Sequence, residues 1–127
     1  MKLTMTQKIL AKKLGMPFEE AITALSAGTL TLVEVDTALS NDVTAPVAID
    51  VFNKSGGQLY DADKVTFVLD HFTPNRDIQS AEQCKCVRAF ARAEGVKNFF
   101  DVGSMGIAPA LLPEKRLAKP WSVVIGA

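Results

Sequence analysis

The segment from Lys64 to Lys85 constrains the fold more than any other part of the chain. Lys64 to Leu69 is an almost continuous apolar run of β-branched and aromatic residues, the pattern of a strand covered on both faces. It ends on Asp70-His71, and a polar loop follows as far as Gln79. Ser80-Ala-Glu-Gln83 then has the form of a capping box, a serine cap with glutamine three residues later. A helix is expected from there to about Glu94, with Cys84, Val87, Phe90 and Ala91 turned inward and Gly95 ending it. A carboxylate beside an imidazole at the end of a parallel strand is a common way to hold an acid/base pair above a pocket. His71 is the only histidine in the chain. Taken alone, the dipeptide reads more readily as a capped strand end with a solvent-facing histidine.

The remaining segments alternate in the same manner. Thr4 to Gly15 reads as a short helix, capped by Thr4 or Thr6, and Phe18 to Ala27 as a weaker one after Pro17. Thr29 to Asp36 is rich in β-branched residues and leucine and reads as a strand, with Ala38 to Val43 as the loop after it. Thr44 to Ser55 reads as a helix with Thr44 as cap, Pro46 in its first turn, and Val47, Val51, Ala48 and Phe52 forming its apolar face. Asn98 to Val102 is a further strand, Gly103 to Pro113 a loop broken by glycine and proline, and Trp121 to Gly126 a last buried strand. This succession predicts an α/β fold, a layered α/β/α arrangement around a mainly parallel sheet. A strand that reads as buried at the end of the sequence, with no helix to cover it, either lies at the sheet edge or belongs to a longer polypeptide. The second is the favoured expectation, so that residues 1–127 form a single, incomplete domain.

Fourteen basic residues balance fourteen acidic ones, so no net field draws the chain to nucleic acid or to an anionic membrane. No apolar run reaches the roughly 18–20 residues a bilayer requires, and the first residues lack the apolar core of a secretory signal, so the cytoplasm is the expected location. Cys84 and Cys86 stand two apart on the expected helix and project about 200° from each other. That suits neither a disulfide nor two ligands on one metal, so both are read as reduced cysteines in or near the core. No metal ligands are assigned to this chain.

Five ordered segments carry a resemblance over essentially the whole chain: Asn41-Asp-Val-Thr-Ala-Pro46, Asp70-His-Phe-Thr-Pro-Asn75, Ser80-Ala-Glu-Gln-Cys-Lys85, Asn98-Phe-Phe-Asp-Val-Gly103 and Leu111-Leu-Pro-Glu114. Together they resemble the N-terminal part of the large subunit of 3-isopropylmalate dehydratase, in the aconitase superfamily. Homoaconitase and dimethylmalate dehydratase large subunits are similar. The resemblance implies an aconitase-type N-terminal domain and a hydro-lyase acting on a branched malate, a step of leucine biosynthesis. It also implies a [4Fe-4S] cluster in the intact enzyme, held by cysteines that lie further along in the family, so that none is expected in this chain. The implied partners are the remainder of the large subunit and a small subunit carrying the swivelling domain. Asp70 and His71 match the pair that helps protonate the departing hydroxyl. Asn41, Asp42 and Thr44 match the substrate side, or form only a loop that caps the next helix. Asn75 and Asp77 belong to the site wall or hold their loop through side-chain-to-backbone bonds.

The chain departs from the family where Met105-Gly-Ile-Ala-Pro109 has proline in place of the usual histidine, and where Lys115 to Trp121 lacks the usual glycines. Two readings follow: part of a dehydratase large subunit, inactive alone, or a non-catalytic α/β domain used for binding or assembly.

Overall fold

A computed structural model describes residues 2–126. Four parallel strands, β1 (Thr37–Asn41), β2 (Val65–Val68), β3 (Asn98–Phe100) and β4 (Val124–Gly126), form one sheet in the order β3-β2-β1-β4. Five α-helices accompany them: α1 (Met5–Lys13), α2 (Phe18–Ala24), α3 (Ala45–Ser55), α4 (Ile78–Ala93) and α5 (Ala108–Glu114). Successive side chains of β2 point to opposite faces, which places α3 and α4 on one side and α5 on the other, while α1 and α2 pack together around Ala11, Ala21 and Leu25. Phe67, followed by Leu69, meets Ala45 and Ile49 of α3 and Cys84, Val87 and Ala91 of α4. Val68 meets Ala108, Leu111 and Leu112 of α5 on the other face. The chain is thus an α/β protein with a parallel sheet covered on both sides, as the alternation of segments predicts. No helix among the described residues is long and apolar enough to cross a membrane.

Helix α4 has the expected length but a different start. Asp77 is its cap, accepting the Ser80 amide at 2.7 Å, while the Ser80 hydroxyl accepts the Asp77 amide at 3.2 Å. Ser80 is therefore the third helical residue rather than the cap. An aspartate has the same capping chemistry as a serine, and here it stands three residues earlier. The Ser80 amide, first of all, holds the Asp77 carboxyl below its ordinary range. Helix α4 ends at Ala93 with Glu94 as its C-cap, and Gly95 follows at φ +69°.

Several other expectations are corrected. The strand expected over 29–36 lies instead at Thr37–Asn41, in the segment read as a loop. Leu30 and Leu32 are 94% and 91% exposed, so the alternating leucines face no core. The segment Thr-Ala-Leu-Ser-Asn has little intrinsic β preference. It is a strand because β2 pairs with one of its edges and β4 with the other. In α3 the buried residues are Ala45 and Ile49, whereas Val47 and Val51 are 68% and 62% exposed. The helix is rotated so that Phe52 meets Phe90 edge to face at 5.4 Å. Thr44 precedes α3 but makes no side-chain cap bond to it.

The stretch read as a loop through Pro113 contains α5. Pro109 sits in its first turn, where no amide donor is needed, and Pro113 comes close to its end. The last strand is not buried. β4 is an edge strand paired only with β1, and Ile125 is 60% exposed. A Cβ on Gly126 would lie 2.8 Å from the Leu39 carbonyl oxygen, so glycine lets β4 approach β1. Asp36 secures the other end of this pairing by exchanging two hydrogen bonds with the Val123 backbone, and Lys13 of α1 pairs with the same carboxylate.

Candidate functional site

Strand order reverses at β1. The crossovers from β1 to β2 and from β2 to β3 pass through α3 and α4 on one face, and the return to β4 passes through α5 on the other. Loops leaving the carboxyl ends of adjacent strands diverge at such a point and open a crevice, the usual ligand position in open α/β sheets. A cavity of about 310 Å³ lies there, lined by Leu39, Asn41, Asp70, His71, Ala108, Pro109, Val124 and Gly126. A larger apolar groove of about 970 Å³ lies on the α3 face, and none of its lining side chains titrates.

Asp70 and His71 follow β2 after Leu69. His71 Nδ1 lies 2.7 Å from Asp70 Oδ1. A carboxylate only accepts, so this nitrogen carries a proton, and Nε2 is left as the ring's second functional atom. The imidazole is half exposed at the cavity, whereas the Asp70 side chain is 12% exposed. Asp70 Oδ2 accepts the amide of Ala108, the first residue of α5, at 2.9 Å. One carboxylate therefore orients the ring and ties the wall formed by α5 to the end of β2. This arrangement can deliver or accept a proton at Nε2 without reorganising the backbone.

The other candidates occupy different places. Asn41 lines the cavity, and its Oδ1 accepts the amides of Val43 and Thr44 at 2.8 and 3.0 Å, shaping the turn into α3. Thr44 lies on the groove side and its hydroxyl is 2.9 Å from that of Ser40. Asp42 is wholly buried beneath the pair, with its oxygens on the amides of His71 and Phe72. Asn75 donates to the Phe72 carbonyl at 2.7 Å and to Cys84 Sγ at 3.2 Å, on the α4 side of the loop. The structure thus brings Asn41, Asp70 and His71 to one cavity and sets Asp42, Thr44 and Asn75 around its supports. Pro109, the proline that the family resemblance singles out, also lines it, as do Leu39 and Ala108, which no local sequence signal marks as site residues.

The family resemblance implies an iron-sulfur cluster, whose ligands would be cysteine thiolates. Cys84 is buried with its thiol against Asp42 and Asn75, and burial pushes that thiol up from its ordinary pKa, away from the thiolate a ligand must be. Cys86 lies on another side of the same helix, packed at the margin of the core. These residues do not fit an iron-sulfur cluster. Asp42, Asp70 and His71 place ligand-type atoms within 4.8 Å of one another, but both oxygens of each carboxylate already hold amides or the imidazole. They form a hydrogen-bonded support rather than a metal site.

No family model matches the chain. Curated proteins do. The chain is 52% identical over 128 aligned positions to a 3-isopropylmalate dehydratase large subunit of Clostridium kluyveri, covering all of this chain and 29% of that protein. It is 52% identical, with the same coverage, to the large subunit of Clostridioides difficile. A large subunit of a Thermoanaerobacter species is 53% identical over the same span. The chain therefore spans 29% of the length of these relatives. Over that span it belongs to the 3-isopropylmalate dehydratase large-subunit family, and it represents an N-terminal part of such a subunit.

Proposed function

We propose that this chain forms one wall of a hydro-lyase site and that His71, held by Asp70, hands a proton to a hydroxyl leaving a branched 2-hydroxy diacid. The single observation that carries this reading is the 2.7 Å Asp70–His71 contact in a ring that lines the cavity at the strand-order reversal, with Nε2 not engaged by Asp70. Hydroxide is a poor leaving group, so a positioned proton donor lowers the barrier, and an adjacent carboxylate stabilises the imidazolium that donates. Asn41, at the cavity wall, is the nearest candidate for a substrate contact, while Asp42, Thr44 and Asn75 hold the loops that frame it. The reaction would be the isomerisation step of leucine biosynthesis, in the cytoplasm.

The remaining machinery is assigned to the part of the subunit outside this chain. That part would bring the [4Fe-4S] cluster, which supplies Lewis acidity when bound, and would meet a small subunit carrying further substrate contacts. It would also cover the apolar groove beside α3, where Val47, Val51 and Ile125 are each at least 60% exposed. The chain by itself is then inactive.

Pro109 favours a second reading. It lines the same cavity as the pair and has neither a proton to give nor a backbone donor, which suits a domain that no longer catalyses. Complementation separates the two. The chain is co-expressed with the remainder of the Clostridium kluyveri large subunit and its small subunit, and isopropylmalate dehydration is measured. Turnover that falls by about two orders of magnitude or more in His71→Ala supports the first reading. An assembled but inert complex, in which Pro109→His restores no turnover, supports the second.

A further inference from the structure

Asp42 has no exposed surface, yet it carries a carboxylate, and a charge taken out of water is retained only where hydrogen bonds replace its solvent. Here they come from one place. Oδ1 accepts the His71 amide at 3.1 Å and Oδ2 the Phe72 amide at 2.7 Å, with the Cys84 thiol 3.6 Å from Oδ2. Two consecutive amides converging on one anion fix the backbone between them, as in anion-binding nests. Asp42 follows β1 and His71 follows β2, neighbours in the sheet, so the carboxylate latches one strand end to the other. Asp42 Oδ1 also lies 3.8 Å from His71 Nδ1, on the nitrogen that Asp70 holds.

We propose that Asp42 is a positioning residue for His71. It holds the turn after β2 so that Nδ1 meets Asp70 and Nε2 meets the cavity, and it does not itself touch substrate. Both oxygens are occupied and sealed from solvent, so a substrate group could reach them only after the turn had broken. This inference concerns the geometry of His71 and rests on the acid/base reading only for its consequence in catalysis.

The test is NMR of the isotopically labelled chain, in which His71 gives the only imidazole signals. In the unmodified chain, through-hydrogen-bond scalar couplings should link the His71 and Phe72 amide nitrogens to the Asp42 carboxyl carbon. Their absence overturns the proposal without any variant. In Asp42→Asn, hydrogen exchange of those two amides should rise at least about tenfold, within the range by which local openings differ from global stability. The neutral His71 ring should also lose its single Nδ1–H tautomer, while Phe67 and Val68 amides stay protected. An unchanged tautomer assigns Asp42 to structure alone and overturns the role. Asp70→Asn should disturb the tautomer with both amides still protected, and loss of protection there overturns the assignment of the latch to Asp42. If His71 proves dispensable for turnover, the acid/base reading fails while these couplings still decide the latch.

Discussion

Asp70 accepts the amide of Ala108, 38 positions later, at 2.9 Å, with the oxygen that does not hold His71. The carboxylate that orients the imidazole is therefore also the anchor for the first turn of α5. Anions are favoured at helix starts, where amides lack partners within the helix.

Asp70→Ala should therefore destabilise the chain by about 2 kcal/mol, the usual scale for a lost hydrogen bond to a charged group. Hydrogen exchange should quicken in the first turn of α5 before it does in α3. Equal quickening in both helices would make the loss global and the anchor unimportant.

Among the described residues two other than glycine hold positive φ, Arg116 at 59° and Trp121 at 75°. Both lie between α5 and β4. A side chain in this region costs roughly 1–2 kcal/mol. Arg116→Gly should stabilise the chain by somewhat less than that, about 1 kcal/mol, because glycine also frees the unfolded state. Trp121→Gly should gain less, since Trp121 also packs under the Lys12 ammonium at 4.6 Å. Urea melts of the two variants give the order directly, and a destabilised Arg116→Gly would contradict the strain.

The elements differ in how far their own residues encode them. β2 and α4 are visible because their own residues carry the pattern: an apolar run for one, buried Cys84, Val87 and Ala91 at helical spacing for the other. β1 was invisible because its strand character comes from neighbours on both edges, while the β-rich segment before it found no partner strand. Pro109 and Pro113 concealed α5 by reading as breakers. In the site, Asp70 and His71 stood out because they end an apolar strand. The Ala108 contact and the burial of Asp42 did not, because each depends on how a crossover returns to the sheet.

Arg88 of α4 and Asp101 after β3 form a two-pronged ion pair, Nε to Oδ2 at 2.5 Å and Nη2 to Oδ1 at 2.8 Å. Arg88, first of all, holds the Asp101 carboxyl below its ordinary value of 3.8, and Asp101 raises the guanidinium in turn. A lowered carboxylate binds fewer protons folded than unfolded, so its contribution is present above pH 3.8 and is lost as pH falls through the lower folded value. Both side chains are under one-third exposed, and the pair should contribute about 1 kcal/mol after solvent screening. Asp101→Asn should flatten the acid limb of stability against pH below 4 in denaturant melts, with little change in its shape at neutral pH. An acid limb unchanged in slope would locate the acid sensitivity elsewhere.

Phe67 is 5% exposed and meets the Phe90 ring edge to face at 6.0 Å, and Phe90 in turn meets Phe52. The three rings join the sheet to α4 and α3. Phe67→Ala should cost about 3–5 kcal/mol by combining lost burial with a cavity. Thermal melts read this directly, and a loss below about 1 kcal/mol would mean that the helices collapse onto the gap.

Val51 sits on the outer face of the same helix, 62% exposed, beside the groove that the rest of the subunit is proposed to cover. An exposed valine contributes little to the stability of this chain, so Val51→Asp should shift its unfolding by no more than about 0.5 kcal/mol. A charge buried at an interface without a partner is far more costly. The same variant should therefore fail to co-purify with the separately expressed remainder of the Clostridium kluyveri subunit, while the unmodified chain does. Val102→Asp is the control, since Val102 is 65% exposed but does not line the groove. If Val51→Asp assembles as well as Val102→Asp, the remainder packs elsewhere, and the exposed face of α3 is an ordinary solvent surface.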